Sequence, residues 1–350
     1  MNYELNNKIR ELEPYEPISG TYRIRLDANE CPCNYAEDIM KQVQDAISKV
    51  DFNRYPDPMA TSVVNAFSDY YGINPEYVTA GNGSDELIFL IESAFMEKGD
   101  KMLVVAPDFS MYKFYSTICE TQCDTFIKDD SLKTDIDAVI EKINTDKINL
   151  VIFSNPCNPT AQGIEADEVH KMITSVNALV VLDEAYMDFW NQSLMDKAHE
   201  YDNLIILRTA SKSIGSAALR LGFAVANPKI AKALKAVKSP YNVNSISQAI
   251  GEVIYRNKEY LKNREKNIVI NREKLYNGLV ALSEQTDDFK VYESCANFVF
   301  VKTSFGKELY EYLKENSIVI RYMGDYIRIT AGTEEEVEEV LKYIKMFLMR

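Results

Sequence analysis

A lysine just past an apolar run of strand length is the residue of this chain most suited to covalent chemistry. Leu204-Ile-Ile-Leu207 gives way to the polar turn Thr209-Ala-Ser-Lys-Ser213, which sets Lys212 between rigid scaffold and a cleft. An amine held there, desolvated and near other cations, is nucleophilic at neutral pH and fits Schiff-base chemistry. Thr209, Ser211 and Arg220 add hydroxyls and a guanidinium within a short length of chain, a set suited to a phosphate. An ordinary lysine in a surface loop has the same local signature.

Other chemically unusual residues also fall where apolar runs stop. Gly81-Asn-Gly-Ser-Asp-Glu86 follows one such run and opens a helix, so its amides and the helix dipole would attract an anion; a helix cap without a ligand reads the same way. It could pass for a dinucleotide fingerprint, but Glu86 at the third glycine position weakens that reading. Pro107-Asp-Phe-Ser-Met-Tyr112 brings aromatics to a strand end, either to stack on a planar ring or to pack on the domain edge. Ser154-Asn-Pro-Cys-Asn-Pro-Thr160 contains two Asn-Pro steps, which fix a non-helical turn and aim an amide outward. Val180-Val-Leu-Asp-Glu-Ala-Tyr186 puts Asp183 directly after a buried strand, where a carboxylate needs a partner. A protonated ring nitrogen and a nearby arginine are the two candidates.

These turns need a scaffold. From 77 to 226 the pattern alternates seven short strands (77–80, 102–106, 125–127, 150–153, 179–182, 204–207 and 221–225) with helices. Strands without polar alternation, separated by helices, imply an α/β fold: a mainly parallel seven-stranded sheet between helices, with ligands beyond the strands' carboxyl ends. Thr134-Asp-Ile-Asp137 has capping-box spacing and predicts a helix start at Thr134. Residues 244–282 read as helical almost throughout and as a connector. The strands near 289–292, 296–302, 317–321 and 326–330, with helices near 306–315 and 333–348, read as a small α+β domain. The resulting division is an N-terminal arm or part of the small domain over 1–40, a large domain over 41–240 and a small domain over 241–350.

The totals restrict the function classes. At 350 residues the chain exceeds the size at which one core keeps growing. A net charge of −14 argues against nucleic acid and anionic membrane as partners. No apolar run reaches membrane-spanning length and the first ten residues lack a secretory core, so a cytoplasmic location is expected. Of the six cysteines, at 31, 33, 119, 123, 157 and 295, the pairs Cys31/Cys33 and Cys119/Cys123 are spaced as metal ligands could be, but neither His170 nor His199 sits near them in sequence, and free thiols with no metal are expected.

Taken in order, Gly83-Ser-Asp85, Asn158-Pro-Thr160, Asp183-Glu-Ala-Tyr186, Ser211-Lys212 and Arg220-Leu-Gly222 resemble the fold-type-I pyridoxal-phosphate aminotransferases of class I/II. Pro14-Tyr15, Leu26-Asp-Ala-Asn-Glu30, Tyr55-Pro-Asp-Pro58 and Tyr326-Ile-Arg-Ile-Thr-Ala-Gly-Thr333 are similar to the histidinol-phosphate branch of that family. The resemblance implies pyridoxal 5'-phosphate as cofactor, with Lys212 as its Schiff-base lysine and proton carrier and Asp183 beside the pyridine nitrogen. It implies Asn158 and Tyr186 at the ring hydroxyl and Phe109 on the ring face. Ser84, Asp85, Thr209, Ser211 and Arg220 would hold the phosphate, joined by Tyr55 from a partner subunit, which implies a homodimer. Tyr15, Asn29, Arg321 and Arg328 would bind substrate: an amino donor, then a 2-oxo acid. Threonine-phosphate decarboxylases and aromatic aminotransferases share the template, and a non-catalytic cofactor-binding protein is the remaining class. Four stretches depart from the family pattern: Cys31, where asparagine is usual; Ala161, where glycine is usual; Ile214 to Ala218; and a short loop between Arg321 and Arg328.

Overall fold

The computed structural model describes the chain except residues 1, 2, 11 and 15. Its first strand, β1 (Ile24–Leu26), comes from the arm. There follow β2 (Val78–Gly81), β3 (Lys101–Ala106), β4 (Gln122–Ile127), β5 (Leu150–Ser154), β6 (Leu179–Asp183), β7 (Leu204–Thr209) and β8 (Gly222–Ala226). These seven form one sheet in the order β2-β8-β7-β6-β5-β3-β4. Only β8 runs against its neighbours; β3 to β7 pair in parallel. Such a sheet must be covered on both faces. Val180 and Leu182 pack on one side with Phe67, Phe223 and Tyr255, while Val181, Ile205 and Leu207 pack on the other with Tyr112 and the helix Ser84–Phe95. Phe67 and Phe223 stack with ring centroids 4.0 Å apart.

A second sheet combines β9 (Lys290–Val291), β10 (Phe298–Lys302), β11 (Ile318–Tyr322) and β12 (Tyr326–Thr330) with β1, in the order β1-β11-β12-β10-β9. The arm is thus part of this sheet: Ile24, Arg25 and Leu26 pair in parallel with Ile318, Val319 and Ile320. Three helices, Lys258–Ser283, Gly306–Glu315 and Glu334–Leu348, supply the rest of its core.

Two local expectations change. The helix after β4 starts at Ile136, and Asp135, not Thr134, caps it by accepting from Ala138 N at 3.0 Å. Its carboxylate at the helix N-terminus also faces the favourable end of the dipole. The connector is not one helix: Ser245–Arg256 stops at Asn257, whose side chain donates to Val253 O at 2.8 Å, and Lys258–Ser283 restarts. Asparagine competes with the helical ladder through such local bonds.

Candidate active site

The carboxyl ends of β2, β5, β6 and β7 meet the arm and the edge of β12. At the β2 end, Gly83 adopts φ +83° and Ser84 begins a helix. A Cβ on Gly222 would lie 2.4 Å from Ser84 N, so only glycine lets β8 pass beneath this helix start. Arg220 arches over the same place, with Nη2 donating to Asp85 Oδ2 at 3.0 Å and Nη1 3.5 Å from Ser211 Oγ. Ser211 N donates to Thr209 Oγ1 at 3.2 Å. Free helix-terminal amides, two hydroxyls and a guanidinium form an anion cradle. Asp85 joins it through its backbone, since its carboxylate is committed to Arg220 and would repel a phosphate.

Asp183 lies at the floor, 4% exposed. Its partners are neutral: Tyr112 Oη donates to Oδ2 at 2.8 Å and Ala185 N to Oδ1 at 3.0 Å. Burial pushes its pKa up to about 7, against the lowering effect of those two bonds, with Asp108 and Asp85 adding repulsion. The arginine that the strand end might have supplied is spent elsewhere. Arg208 pairs with Glu184 at 2.7 Å and Asp188 at 2.6 Å on the opposite face. Among the described residues Asp183 has no cation, and a protonated ring nitrogen is the group that would keep it ionised.

Lys212 stands nearby, its Nζ 3.0 Å from Ala28 O and 5.8 Å from the centre of the Tyr186 ring. Tyr186 is oriented by Asn29, whose Nδ2 donates to Tyr186 Oη at 3.0 Å. Asn29 is 1% exposed and also accepts from Thr330 Oγ1 at 3.2 Å, so here its side chain holds Tyr186. Asn158 Oδ1 accepts from Arg328 Nη1 at 2.5 Å, and Arg328 Nη2 donates to Asp27 O at 2.7 Å. Phe109 packs edge-on against Tyr112, 5.5 Å between centroids. Arg321 sits directly opposite Arg328 in the β11–β12 ladder, and among the described residues it makes no ion pair. Tyr55 is 81% exposed and stacks on Tyr241 at 4.6 Å, away from the cluster. Tyr15 lies outside the described residues.

The residues fit pyridoxal phosphate at both ends: a helix start grouped with Thr209, Ser211 and Arg220, and a buried carboxylate whose hydrogen-bond partners are neutral. Family comparison agrees. The model of the family "Aminotransferase class I and II" matches residues 22–344. The chain belongs to the class I and II aminotransferases. It is 40% identical over 342 residues to the histidinol-phosphate aminotransferase of Clostridium novyi, covering 96% of this chain and 95% of that protein. Its fold matches that of the Sinorhizobium meliloti histidinol-phosphate aminotransferase in complex with pyridoxal-5'-phosphate, with TM-score 0.88 and 21% identity over 99% of this chain and 97% of the other. It also matches L-threonine-O-3-phosphate decarboxylase from Porphyromonas gingivalis, with TM-score 0.79 and 19% identity over 93% and 100%. The chain is a pyridoxal-phosphate-dependent transaminase, and no helix among the described residues is long and apolar enough to cross a membrane.

Sequence reading missed the groups that hold the site from behind. Tyr112 was visible as a strand-end aromatic, but its bond to Asp183 was not. Arg208, Glu184 and Asp188 form a buried ion cluster with Ser193, Tyr71 and Ser213, which ties the turn bearing Lys212 to the segment bearing Tyr186. A charged residue ending the apolar run Leu204–Leu207 was the available signal. The divergent tract after Lys212 is secured by Tyr35, whose hydroxyl lies 2.5 Å from both Ile214 O and Ser216 Oγ.

Proposed function

We propose that this aminotransferase moves the amino group of histidinol phosphate to 2-oxoglutarate, in two half-reactions at one site, as a cytoplasmic homodimer. The observation that carries the reading is the pair Arg321 and Arg328, facing each other across β11 and β12 at the mouth of the cofactor cluster. Two guanidiniums side by side offer one ligand a joint site for its phosphate or carboxylate end. A planar guanidinium suits either anion in bidentate fashion. Identity of 40% to a histidinol-phosphate aminotransferase across nearly its whole length supports the same substrate.

Pyridoxal phosphate, when bound, supplies the electron sink for breaking the C–H bond of the amino-bearing carbon. Asp183 would hold the positive charge at the ring nitrogen. Ser84, the Asp85 amide, Thr209, Ser211 and Arg220 would anchor the phosphate, with Tyr55 of a second subunit reaching in. Asn158 and Tyr186 would donate or accept at the ring hydroxyl, and Phe109 would cover the ring. Lys212 Nζ would take the proton from the amino-bearing carbon and return it one position away, a role its long stem allows. Arg328 would grip the 2-oxoglutarate carboxylate. Arg321 and Tyr15 would take the substrate phosphate.

Purified protein given histidinol phosphate and 2-oxoglutarate is expected to release glutamate. Release of CO2 from threonine phosphate with no glutamate would overturn the assignment in favour of a decarboxylase. Lys212→Ala is expected to lose the visible absorbance band of the wild-type protein and at least roughly a thousandfold in turnover; a variant that keeps the band would remove Lys212 from its role.

A further inference from the structure

The loop that carries Asn158 hides an amine against a thiol. Lys128 directly follows β4 and is 7% exposed; Cys157, between the two Asn-Pro steps, is 3% exposed. Lys128 Nζ lies 3.2 Å from Cys157 Sγ and donates to Pro107 O at 3.1 Å. The thiol is 3.4 Å from the same carbonyl. Among the described residues no carboxylate reaches Lys128 within salt-bridge distance, although Asp108, bound to Ser154 N at 3.0 Å, shares its surroundings. Burying an ammonium against a carbonyl and a thiol is a poor way to stabilise a fold, since sulfur is a weak acceptor and a buried charge is costly without a close counter-ion. Neither residue has a part in the transamination described above.

We propose that Lys128 and Cys157 are an oxidative modification site, joined by a single oxygen atom as Lys Nζ–O–Sγ Cys when the protein meets dioxygen. The ammonium first gives a proton to solvent. The O–O bond of dioxygen then breaks. One oxygen forms the N–O and O–S bonds, and the other takes one hydrogen from the amine and one from the thiol and leaves as water. Nitrogen and sulfur each give up two electrons, which balances the four that dioxygen accepts.

Three features favour this product over the usual oxidation of a thiol. The site is sealed, so a second thiol or a bulky one does not reach Cys157, whereas dioxygen is small. Oxygen delivered to the sulfur here has the Lys128 nitrogen as its nearest partner and meets it before solvent. One bridging oxygen also spans most of the 3.2 Å gap, whereas a direct N–S bond would force the two atoms to close about half of it in a close-packed interior. The link would fasten the end of β4 to the loop that presents Asn158.

The test is a mass measurement on the whole protein after exposure to air, followed by tryptic mapping, and it is independent of cofactor and substrate. The expected result is a cross-linked peptide joining Lys128 and Cys157, heavier than the sum of its parts by one oxygen less two hydrogens, with no cleavage after Lys128. Dithiothreitol should release it, and Cys157→Ser and Lys128→Arg should not form it; Cys157→Ala replaces either variant that does not accumulate folded. Recovery of Cys157 as free thiol, as sulfinic acid with Lys128 still cleaved, or in a link lacking the oxygen would overturn the proposal.

Discussion

Asp183 and Glu184 are adjacent in sequence, and the strand pleat sends them to opposite faces of the large sheet, where they are neutralised in different ways. Glu184 meets Arg208 at 2.7 Å, accepts from Ser193 Oγ at 2.6 Å and is sealed under the helix layer. Asp183 meets a tyrosine hydroxyl and an amide, and burial leaves its pKa near 7. The chain provides the counter-charge where a carboxylate only has to hold two turns together, and leaves it to the cofactor where the carboxylate has to act on a ring. Charge completed inside the fold is structural; charge left for a ligand is functional.

That contrast can be broken by exchanging the two outcomes. The largest effect is expected from Asp183→Asn, which should lower turnover roughly a hundred- to a thousandfold while leaving the folded protein intact. Steady-state kinetics beside a melting curve check it, and a mainly structural loss would put Asp183 in the same class as Glu184. Arg208→Met should do the reverse, costing about 3–5 kcal/mol of stability by stranding Glu184 and Asp188, as read by urea unfolding. A smaller effect concerns pH. In cofactor-free protein the folded pKa of Asp183, about 7, lies above its unfolded value of 3.8, so the folded state binds the extra proton between those values. Stability therefore falls as pH rises from the unfolded pKa through the folded one, by the order of a few kcal/mol in total. Because Asp108 and Glu265 are also pushed up, to about 6 and about 7, the measure is the difference between wild type and Asp183→Asn, which should widen over that window and then level. Identical pH profiles would refute the charge argument. The smallest change is Ala161→Gly. Ala161 adopts φ +61°, a left-handed conformation that glycine takes without strain. The gain should be under about 1 kcal/mol, visible as a small rise in melting temperature.

The sequence showed much of the site because its chemistry is local to strand ends. Lys212, Asp183, Asn158 and the helix start at Ser84 each announce themselves within a few residues of an apolar run. What stayed hidden depends on contacts across long separations. Asn29 reaches Tyr186 and Thr330 at separations of 157 and 301 residues, so its burial has no local signature. The pairing of Glu184 with Arg208 requires knowing that β6 and β7 are neighbours in register. The break at Asn257 was missed because both flanking segments carry helical periodicity, and a side-chain-to-backbone bond interrupts them without changing that pattern. The family departure at Ala161 was legible as a substitution, but not as a residue held at positive φ.

The pairing of β1 with β11 has a consequence for the order in which the enzyme can be assembled. Arg23 N donates to Ser317 Oγ across 294 residues, and the carbonyl that accepts from Lys212 lies two residues after β1 ends. A nascent chain leaving the ribosome can complete the large sheet once β8 has emerged, yet the segment that finishes the lysine's surroundings must wait for β11. Loop closure over so many residues is slow relative to local folding. The large sheet can therefore be whole, with its lysine in place, while the enzyme is still incomplete, and the earliest strand to be made is among the last to be secured.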